Sequence, residues 1–155
     1  MEIIVDDLTG PEIAEFLEEH IDEMKALSVD HGGPESKHAL DLEGLRAPDI
    51  TFWTVWDEGA LVGCGALKEL TPRSAEIKSM RTASSHRRSG VASLLLEHIL
   101  DVARERGYRT LSLETGSYAA LAPARALYEK FGFQYCGPFG DYKADPNSVF
   151  MTRIL

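Results

Sequence analysis

Two kinds of hydrophobic pattern alternate along the chain and predict a mixture of helices and strands. A short run of β-branched residues at 2–5 predicts a first strand, and a helical pattern follows it. The apolar residues of that pattern recur at helical spacing: Ile13, Phe16, Leu17, Ile21, Met24 and Leu27. The sequence Thr9-Gly10-Pro11-Glu12 has the form of a capping box and predicts the start of this helix. After a break at His31-Gly32-Gly33-Pro34, residues 35–45 predict a second, shorter helix.

The middle of the chain predicts three strands joined by tight turns. Residues 50–56 and 61–70 flank Asp57-Glu58-Gly59 and are typical of a β-hairpin. After a second turn at Thr71-Pro72-Arg73, residues 75–82 predict the third strand of this meander.

Helix and strand patterns alternate in the rest of the chain. The predicted elements are a helix from about Ser89 to Gly107, a strand at 109–114, a helix at 119–130, and strands at 133–136 and 148–155. A loop rich in Gly, Pro and Asp separates the last two strands at 137–147. The whole order is β-α-α-β-β-β-α-β-α-β-β, which predicts an α/β protein with a mixed (α+β) sheet and helices on both faces. We expect residues 1–155 to form a single domain.

Composition excludes several classes of function. The formal net charge of −9, from 16 Lys and Arg against 25 Asp and Glu, opposes binding to nucleic acid or to an anionic membrane. No apolar stretch is long enough to span a membrane, and the N-terminus lacks the basic start of a secretion signal. Cys64 and Cys136 fit a reducing compartment, each as a small apolar filler. We therefore expect a cytoplasmic protein.

The most informative segment is His86-Arg87-Arg88-Ser89-Gly90-Val91-Ala92-Ser93, where a strand pattern gives way to a helix pattern. A helix N-terminus carries unpaired N–H groups and partial positive charge, so it binds phosphate when small residues allow a close approach. Gly90 and Ala92 supply that access, and Arg81 and His86 extend the local positive charge of the two arginines. The alternative is a solvated charge run at a helix start. The glycine and the helix that follow favour a phosphorylated small ligand.

Two motifs carry a resemblance to a known family. Residues 87–92 fit the pattern Gln or Arg, two residues, Gly, one residue, Gly or Ala, and residues 126–133 read Ala-Leu-Tyr-Glu-Lys-Phe-Gly-Phe. With these motifs about forty residues apart, the chain resembles the GNAT superfamily of acetyl-coenzyme A-dependent N-acetyltransferases. Shorter segments resemble a bacterial subgroup, the YsnE-like acetyltransferases: 34–36, 38–40, 76–82, 113–117 and 145–151.

The resemblance implies acetyl-CoA as cosubstrate and a site for it. Backbone amides at 88–93 would hold the pyrophosphate, and residues 80–82 would pair with the pantetheine arm as if it were a strand. A bulge in that strand opens the slot for the thioester in the family, with an amide near Met80 facing the carbonyl oxygen. The implied residues are Met80, Arg81, Thr82, Arg87, Arg88, Ser89, Gly90, Val91, Ala92 and Ser93. The family usually has a polar asparagine seven residues before its tyrosine, where this chain has Leu121.

Two side chains are candidates for proton transfer. An alkylammonium has a pKa of about 10.4, so an amine substrate must lose a proton before it attacks. Glu76, eleven positions before Arg87, is the candidate base and is predicted to share a strand face with Lys78 and Met80. The alternative is a solvent-facing glutamate paired with Lys78 or a cross-strand neighbour. Tyr128 is the candidate acid for the leaving thiolate, against the alternative of a core aromatic.

The acceptor site is less specified by the sequence. Its predicted walls come from the first helices, the hairpin and the 137–147 loop: His31, Glu35, His38, Trp53, Trp56, Phe139 and Tyr142. The two tryptophans are predicted to pack in the sheet. The histidines lack metal-ligand spacing, so no metal is expected. Lys78 and Arg81 could hold a substrate carboxylate, and the acidic surface could equally attract a cationic amine.

Three functions are consistent with these observations. The leading one is acetylation of a small-molecule primary amine; the others are acetylation of a protein lysine or N-terminus, and a non-catalytic sensor that binds acyl-CoA. A closed pocket under the 137–147 loop would favour a small molecule, and a wide groove would favour a protein. A homodimer is left open.

Overall fold

A computed structural model describes residues 1–30 and 42–155, which form a seven-stranded sheet with helices on both faces. The strands are β1 (Glu2–Val5), β2 (Ile50–Asp57), β3 (Ala60–Thr71), β4 (Ser74–Thr82), β5 (Thr110–Gly116), β6 (Gln134–Cys136) and β7 (Ser148–Ile154). The helices are α1 (Pro11–Asp30), α2 (Leu42–Leu45), α3 (Val91–Glu105) and α4 (Ala122–Lys130). This order confirms the predicted succession of elements. Of the helix predicted over residues 35–45, only α2 lies within the described residues.

The sheet is mixed, as predicted. Its order is β1-β2-β3-β4-β5-β7-β6, and all neighbouring strands pair antiparallel except β4 and β5, which are parallel. The parallel pair requires a crossover, and α3 provides it. The β2–β3 turn places Glu58 and Gly59 at φ 50° and 82°, the two left-handed residues that a type I′ hairpin requires.

Each face of the sheet is covered by its own helices. On one face, called the α1 face, buried residues of α1 and α2 pack on Phe52, Cys64 and Ala66. On the other face, called the α3 face, buried residues of α3 and α4 pack on the remaining core of the sheet. The core between the helices and the sheet on this face includes Leu67, Ile77, Leu95, Leu96, Ile99, Leu111, Leu113 and Met151. Burial of each such side chain contributes about 1.5–3 kcal/mol.

Some local predictions are wrong. Helix α1 begins at Pro11, so Thr9 lies outside it, and the Thr9 hydroxyl donates to Asp7 Oδ1 at 2.6 Å instead of forming a capping box with Glu12. Cys136 is exposed because it lies on the edge strand β6, whereas Cys64 is a buried filler as predicted. In the described part of the chain, no helix combines the length and apolarity needed to cross a membrane.

Candidate active site

Strand β4 separates from β5 halfway along its length. The two strands pair from Ser74 opposite Thr110 to Ile77 opposite Leu113, and the pairing ends there. Beyond Ile77, β4 stays paired with β3, where Cys64 faces Arg81 and Gly63 faces Thr82. On the side of β4 that faces β5, residues 78–82 therefore have no strand partner among the described residues. This splayed, open edge is the slot that the family resemblance predicts.

A bulge at Ser79 produces the separation. The β3–β4 register shifts between Cys64 and Ala66, and Ser79 has a left-handed φ of 55°. A bulge adds one residue to its strand and reverses the side-chain alternation beyond it. Met80 consequently packs on the α3 face, where a methyl group added to Gly65 would lie 2.5 Å from Met80 Sδ. The prediction that Met80 shares a face with Glu76 is wrong, because it assumed an uninterrupted strand.

Cys64 contacts the bulge directly. Its thiol donates a hydrogen bond to the carbonyl oxygen of Ser79 at 3.2 Å, and the residue is fully buried. Burial raises the pKa of Cys64 to about 12, so the thiol keeps its proton at neutral pH and acts as a donor. The buried cysteine thus helps to hold the backbone that forms the slot.

The turn before α3 has the open geometry that a phosphate needs. Arg88 and Gly90 have φ of 67° and 88°, and α3 begins at Val91 with no side chain capping its first turn. A Cβ added at Gly90 would meet nothing within 4 Å. The first N–H groups of α3 have no carbonyl partner within the helix. The residues at 88–93 therefore fit the pyrophosphate of acetyl-CoA, with Val91 buried and Ser89, Ala92 and Ser93 at least partly accessible.

The positive side chains around this turn are largely held by acidic partners. His86 Nε2 lies 3.2 Å from Asp57 Oδ2, and Arg87 Nη2 lies 3.5 Å from Glu23 Oε2. Arg81 points away from the turn to α1, where it donates to the carbonyl of Phe16 and pairs with Glu23 at 3.0 Å. The contacts with α1 therefore engage the guanidinium of Arg81. It does not fit the role of holding a substrate carboxylate.

On the α1 face, Glu76 lies in a buried polar cluster that we call the Glu76 cluster: Glu76, Lys78 and Tyr142. Lys78 Nζ lies 3.1 Å from Glu76 Oε2, and the Tyr142 hydroxyl donates to the same oxygen at 2.5 Å. Lys78 Nζ also donates to the Tyr142 hydroxyl oxygen at 3.1 Å. Glu76 is only 3% exposed, so the interpretation as a solvent-facing residue is wrong, whereas its pairing with Lys78 is present.

The 137–147 loop brings Tyr142 to this cluster. Phe139, Tyr142 and Phe150 pack against one another with ring centroids 5.1–5.9 Å apart, which anchors the loop on β7. Burial raises the pKa of Tyr142, and the hydrogen bond to Glu76 and the negative charges of Glu76 and Glu114 raise it further. The Tyr142 hydroxyl therefore stays protonated and donates.

Tyr128 lies on the α3 face. It is 7% exposed and packs edge to face against Phe133 at 5.8 Å. Burial raises the pKa of Tyr128, so its hydroxyl keeps the proton at neutral pH. This environment suits both a proton donor and a core aromatic. Seven residues before Tyr128, immediately before the start of α4, Leu121 packs against Gly116, where an added Cβ would lie 2.6 Å from Leu121 Cδ1.

The other predicted acceptor residues divide into two groups. Trp53 is buried in the sheet and stacks edge to face on His98 at 5.5 Å, and Trp56 Nε1 donates to the Thr54 hydroxyl at 2.9 Å. Trp53 therefore packs in the core of the sheet, as predicted, and the half-buried Trp56 is held on the same strand by its bond to Thr54. His31, Glu35 and His38 lie outside the described residues. Among the residues that are described, no three His, Cys, Asp or Glu side chains form a group that could hold a metal ion.

Sequence reasoning missed the contacts made by Cys64 and Tyr142. Sixty-six positions separate Tyr142 from Glu76, and fifteen separate Cys64 from Ser79. Neither pair forms a motif, and the 137–147 loop has no periodicity that would orient its aromatic residues. The composition of that loop, with Phe139 and Tyr142 among turn-forming Gly, Pro and Asp residues, is the one sequence feature that indicates that the loop lines the acceptor site.

Comparison with known proteins agrees with this geometry. Residues 13–133 match the Acetyltransferase (GNAT) family. The chain is 58% identical over 155 residues to the uncharacterized N-acetyltransferase YsnE of Bacillus subtilis, covering 100% of both chains. It is 44% identical over 122 residues to the IAA acetyltransferase of Azospirillum brasilense, covering 78% of each.

A GNAT family acetyltransferase from Elizabethkingia anophelis, solved with acetyl-CoA bound, has the same fold. Its TM-score is 0.68 at 18% identity, over 99% of this chain and 97% of that one. The splayed β4–β5 pair, the open turn before α3 and these matches lead to one assignment: the chain belongs to the GNAT family of N-acetyltransferases.

Proposed function

We propose that this N-acetyltransferase moves the acetyl group of acetyl-CoA to the primary amine of a small molecule, by direct attack in a ternary complex. The observation that carries the proposal is the loop over the α1 face, which places the Tyr142 hydroxyl 2.5 Å from Glu76 Oε2. A loop in that position restricts access to Glu76 from the side of the acceptor. Such confinement favours a metabolite over a protein surface. The similarity to an acetyltransferase named for a small molecule, IAA, supports the same choice.

The residues for acetyl-CoA are those at the turn and at the open strand edge. Backbone N–H groups at 88–93 would hold the pyrophosphate, with Arg87 and Arg88 adding charge, and residues 80–82 would pair with the pantetheine arm. When bound, acetyl-CoA supplies an activated acyl group and a thiolate that leaves. A backbone N–H near Met80 would donate to the thioester carbonyl, and loss of one such donor typically costs about 2.7–4 kcal/mol of barrier stabilisation.

Glu76 and Tyr128 are proposed to move the protons. Near neutral pH most of an alkylamine is protonated, and the carboxylate of Glu76 would accept that proton directly or through water. Tyr128 holds a proton on its hydroxyl, because burial raises its pKa, and would donate it to the departing sulfur. Glu76 lies on the strand that carries the bulge, with its side chain on the α1 face, whereas Tyr128 lies on the α3 face of the sheet.

Release of free thiol from acetyl-CoA tests the proposal. We would use a panel of primary amines (ethanolamine, agmatine, spermidine and benzylamine), with a lysine-containing peptide and an amine-free blank. The proposal predicts turnover with at least one small amine. Turnover with the peptide alone would indicate a protein acetyltransferase, and acetyl-CoA binding without any turnover would indicate a sensor.

The role of Glu76 is tested with Glu76→Gln on the best amine. If Glu76 is the base, the rate falls near neutral pH and the difference shrinks as pH rises, because solvent then supplies the neutral amine. Glu105→Gln, at an exposed position at the end of α3, is the matched control and should leave the profile unchanged. A parallel offset at every pH would rule out the base assignment, and a rise in KM alone would indicate substrate binding.

A further inference from the structure

The Glu76 cluster contains two polar side chains, Lys78 and Tyr142, in addition to the carboxylate that a general base requires. A carboxylate and an ammonium at 5% and 10% side-chain exposure have lost most of their hydration, and a buried ion pair is stable only when further hydrogen bonds satisfy it. Tyr142 supplies such a bond at 2.5 Å, in the range of charge-assisted O–H···O⁻ bonds. Both hydrogen bonds that Glu76 makes with described residues use Oε2.

The donors reach this oxygen from two different parts of the chain. Lys78 lies two residues along β4, while Tyr142 comes from the loop that Phe139 anchors on Phe150. Lys78 Nζ bonds both Glu76 and Tyr142 and also lies 5.6 Å from the centre of the Tyr142 ring. The three side chains form a closed triangle of hydrogen bonds, which restricts the rotation of the glutamate.

We infer that Tyr142 is a positioning residue for Glu76: its hydroxyl fixes Oε2 of the glutamate, so that the second carboxylate oxygen is presented to the acceptor amine. The inference rests on the proposed function, in which Glu76 accepts the amine proton. It assigns the 137–147 loop a role in assembling the base as well as in covering the site.

Other charged groups face the cluster from neighbouring strands. Lys68 of β3 is the register partner of Glu76, and Glu114 of β5 acts electrostatically on Tyr142. Their effects are common to the parent and to a variant that lacks only the Tyr142 hydroxyl. Tyr142→Phe is therefore the informative change, because it keeps the ring contacts with Phe139 and Phe150 and leaves the Glu76–Lys78 pair in place. Lys78 is a poorer target, since its removal would leave a buried carboxylate without its ion-pair partner.

The test is a double-mutant cycle on turnover with the best amine of the panel. Tyr142→Phe should lower kcat on the order of tenfold, the scale of one hydrogen bond to a charged group, and leave KM for acetyl-CoA unchanged. In the Glu76→Gln background the same change should lower kcat no further. Tyr135→Phe is the matched control, because Tyr135 is 55% exposed on β6 and its hydroxyl lies near a glutamate, Glu129, that acts on its pKa. Thermal unfolding of all variants verifies that they are folded.

The outcomes separate the inference from the proposed function. An equal fall in kcat in both backgrounds would mean that Tyr142 does not act through Glu76, and the inference would be wrong while amine acetylation stands. An effect confined to KM for the amine would make Tyr142 a substrate contact and would also overturn the inference. Absence of turnover with every amine would overturn the proposed function, and the inference with it.

Discussion

Two glycines flank α3 in the same backbone conformation, and only one of them lies where phosphate is expected. Gly90, before the first turn, has φ 88°, and Gly107, after the last turn, has φ 82°. At both positions an added Cβ would meet nothing within 4 Å. Alanine at either position therefore introduces the same backbone strain and no clash with protein atoms. The pair separates the effect of strain on folding from the effect of the methyl group on a bound ligand.

The expected magnitudes follow from this geometry. A left-handed conformation costs a non-glycine residue about 1–2 kcal/mol, so Gly90→Ala and Gly107→Ala should each lower the free energy of unfolding by that amount. For a chain of this size the loss corresponds to roughly 2–8 °C in Tm. At Gly90 the methyl would also lie in the turn where the pyrophosphate is proposed to bind. Loss of one charge-assisted hydrogen bond to phosphate would weaken acetyl-CoA binding on the order of tenfold or more.

Calorimetric titration with acetyl-CoA and thermal unfolding of the same samples provide the assay. We expect equal destabilisation of the two variants and weaker acetyl-CoA binding in Gly90→Ala alone. If Gly90→Ala binds acetyl-CoA as tightly as Gly107→Ala, the turn at 87–90 does not hold the pyrophosphate. Gly90→Val is a harsher version of the same test, because a β-branched residue adds strain of its own at a positive φ.

Three further changes have defined outcomes. Tyr128→Phe should lower kcat on the order of 10²- to 10⁴-fold and keep the affinity for acetyl-CoA. Tyr108→Phe, which loses a hydroxyl bonded to Glu69, is the control. An unchanged kcat in Tyr128→Phe would mean that Tyr128 is a core aromatic without a catalytic role. Cys64→Ser, which keeps a donor for the Ser79 carbonyl, should retain activity that Cys64→Ala loses, and equal rates in the two would disprove a role for this bond. Burial, together with the positive charge of Arg81, lowers the pKa of His20 below its usual 6.5, so the unfolded chain binds the proton more strongly. The free energy of unfolding should therefore fall as the pH drops below 6.5, and a denaturant titration of His20→Asn should show a shallower pH dependence.

The fold was predictable because its signals are local. Helical spacing of apolar residues, short β-branched runs and Gly- or Pro-containing turns together specify the order of elements, and the two motifs at 87–92 and 126–133 specify the family. The tight β2–β3 hairpin likewise follows from the turn residues Asp57-Glu58-Gly59 between two strand patterns. These features depend on residues within a few positions of one another, so tertiary structure has little opportunity to override them.

The details of the site were not predictable in the same way. Alternation with a period of two places Met80 beside Glu76, but the bulge at Ser79 inserts one residue and moves Met80 to the opposite face. Serine is not a residue that signals a positive φ, so the local residues do not indicate the bulge, and only the family resemblance implied one in this strand. The position of Arg81 likewise depends on α1, because the Phe16 carbonyl and the Glu23 carboxylate hold the guanidinium away from the turn at 87–90.

The same bulge explains how one strand can present residues to both faces of the sheet. Before it, Glu76 and Lys78 point to the α1 face, where the 137–147 loop covers them. After it, Met80 points to the α3 face, the side on which α3 begins after the turn at 87–90. The Ser79 backbone is therefore the point at which a group bound along the open strand edge would pass between the two faces. The thiol of Cys64 holds that point from the neighbouring strand. A substitution that relaxes the bulge should accordingly impair the use of acetyl-CoA and of the amine together, whereas changes at Gly90 or at Tyr142 should each affect one of them.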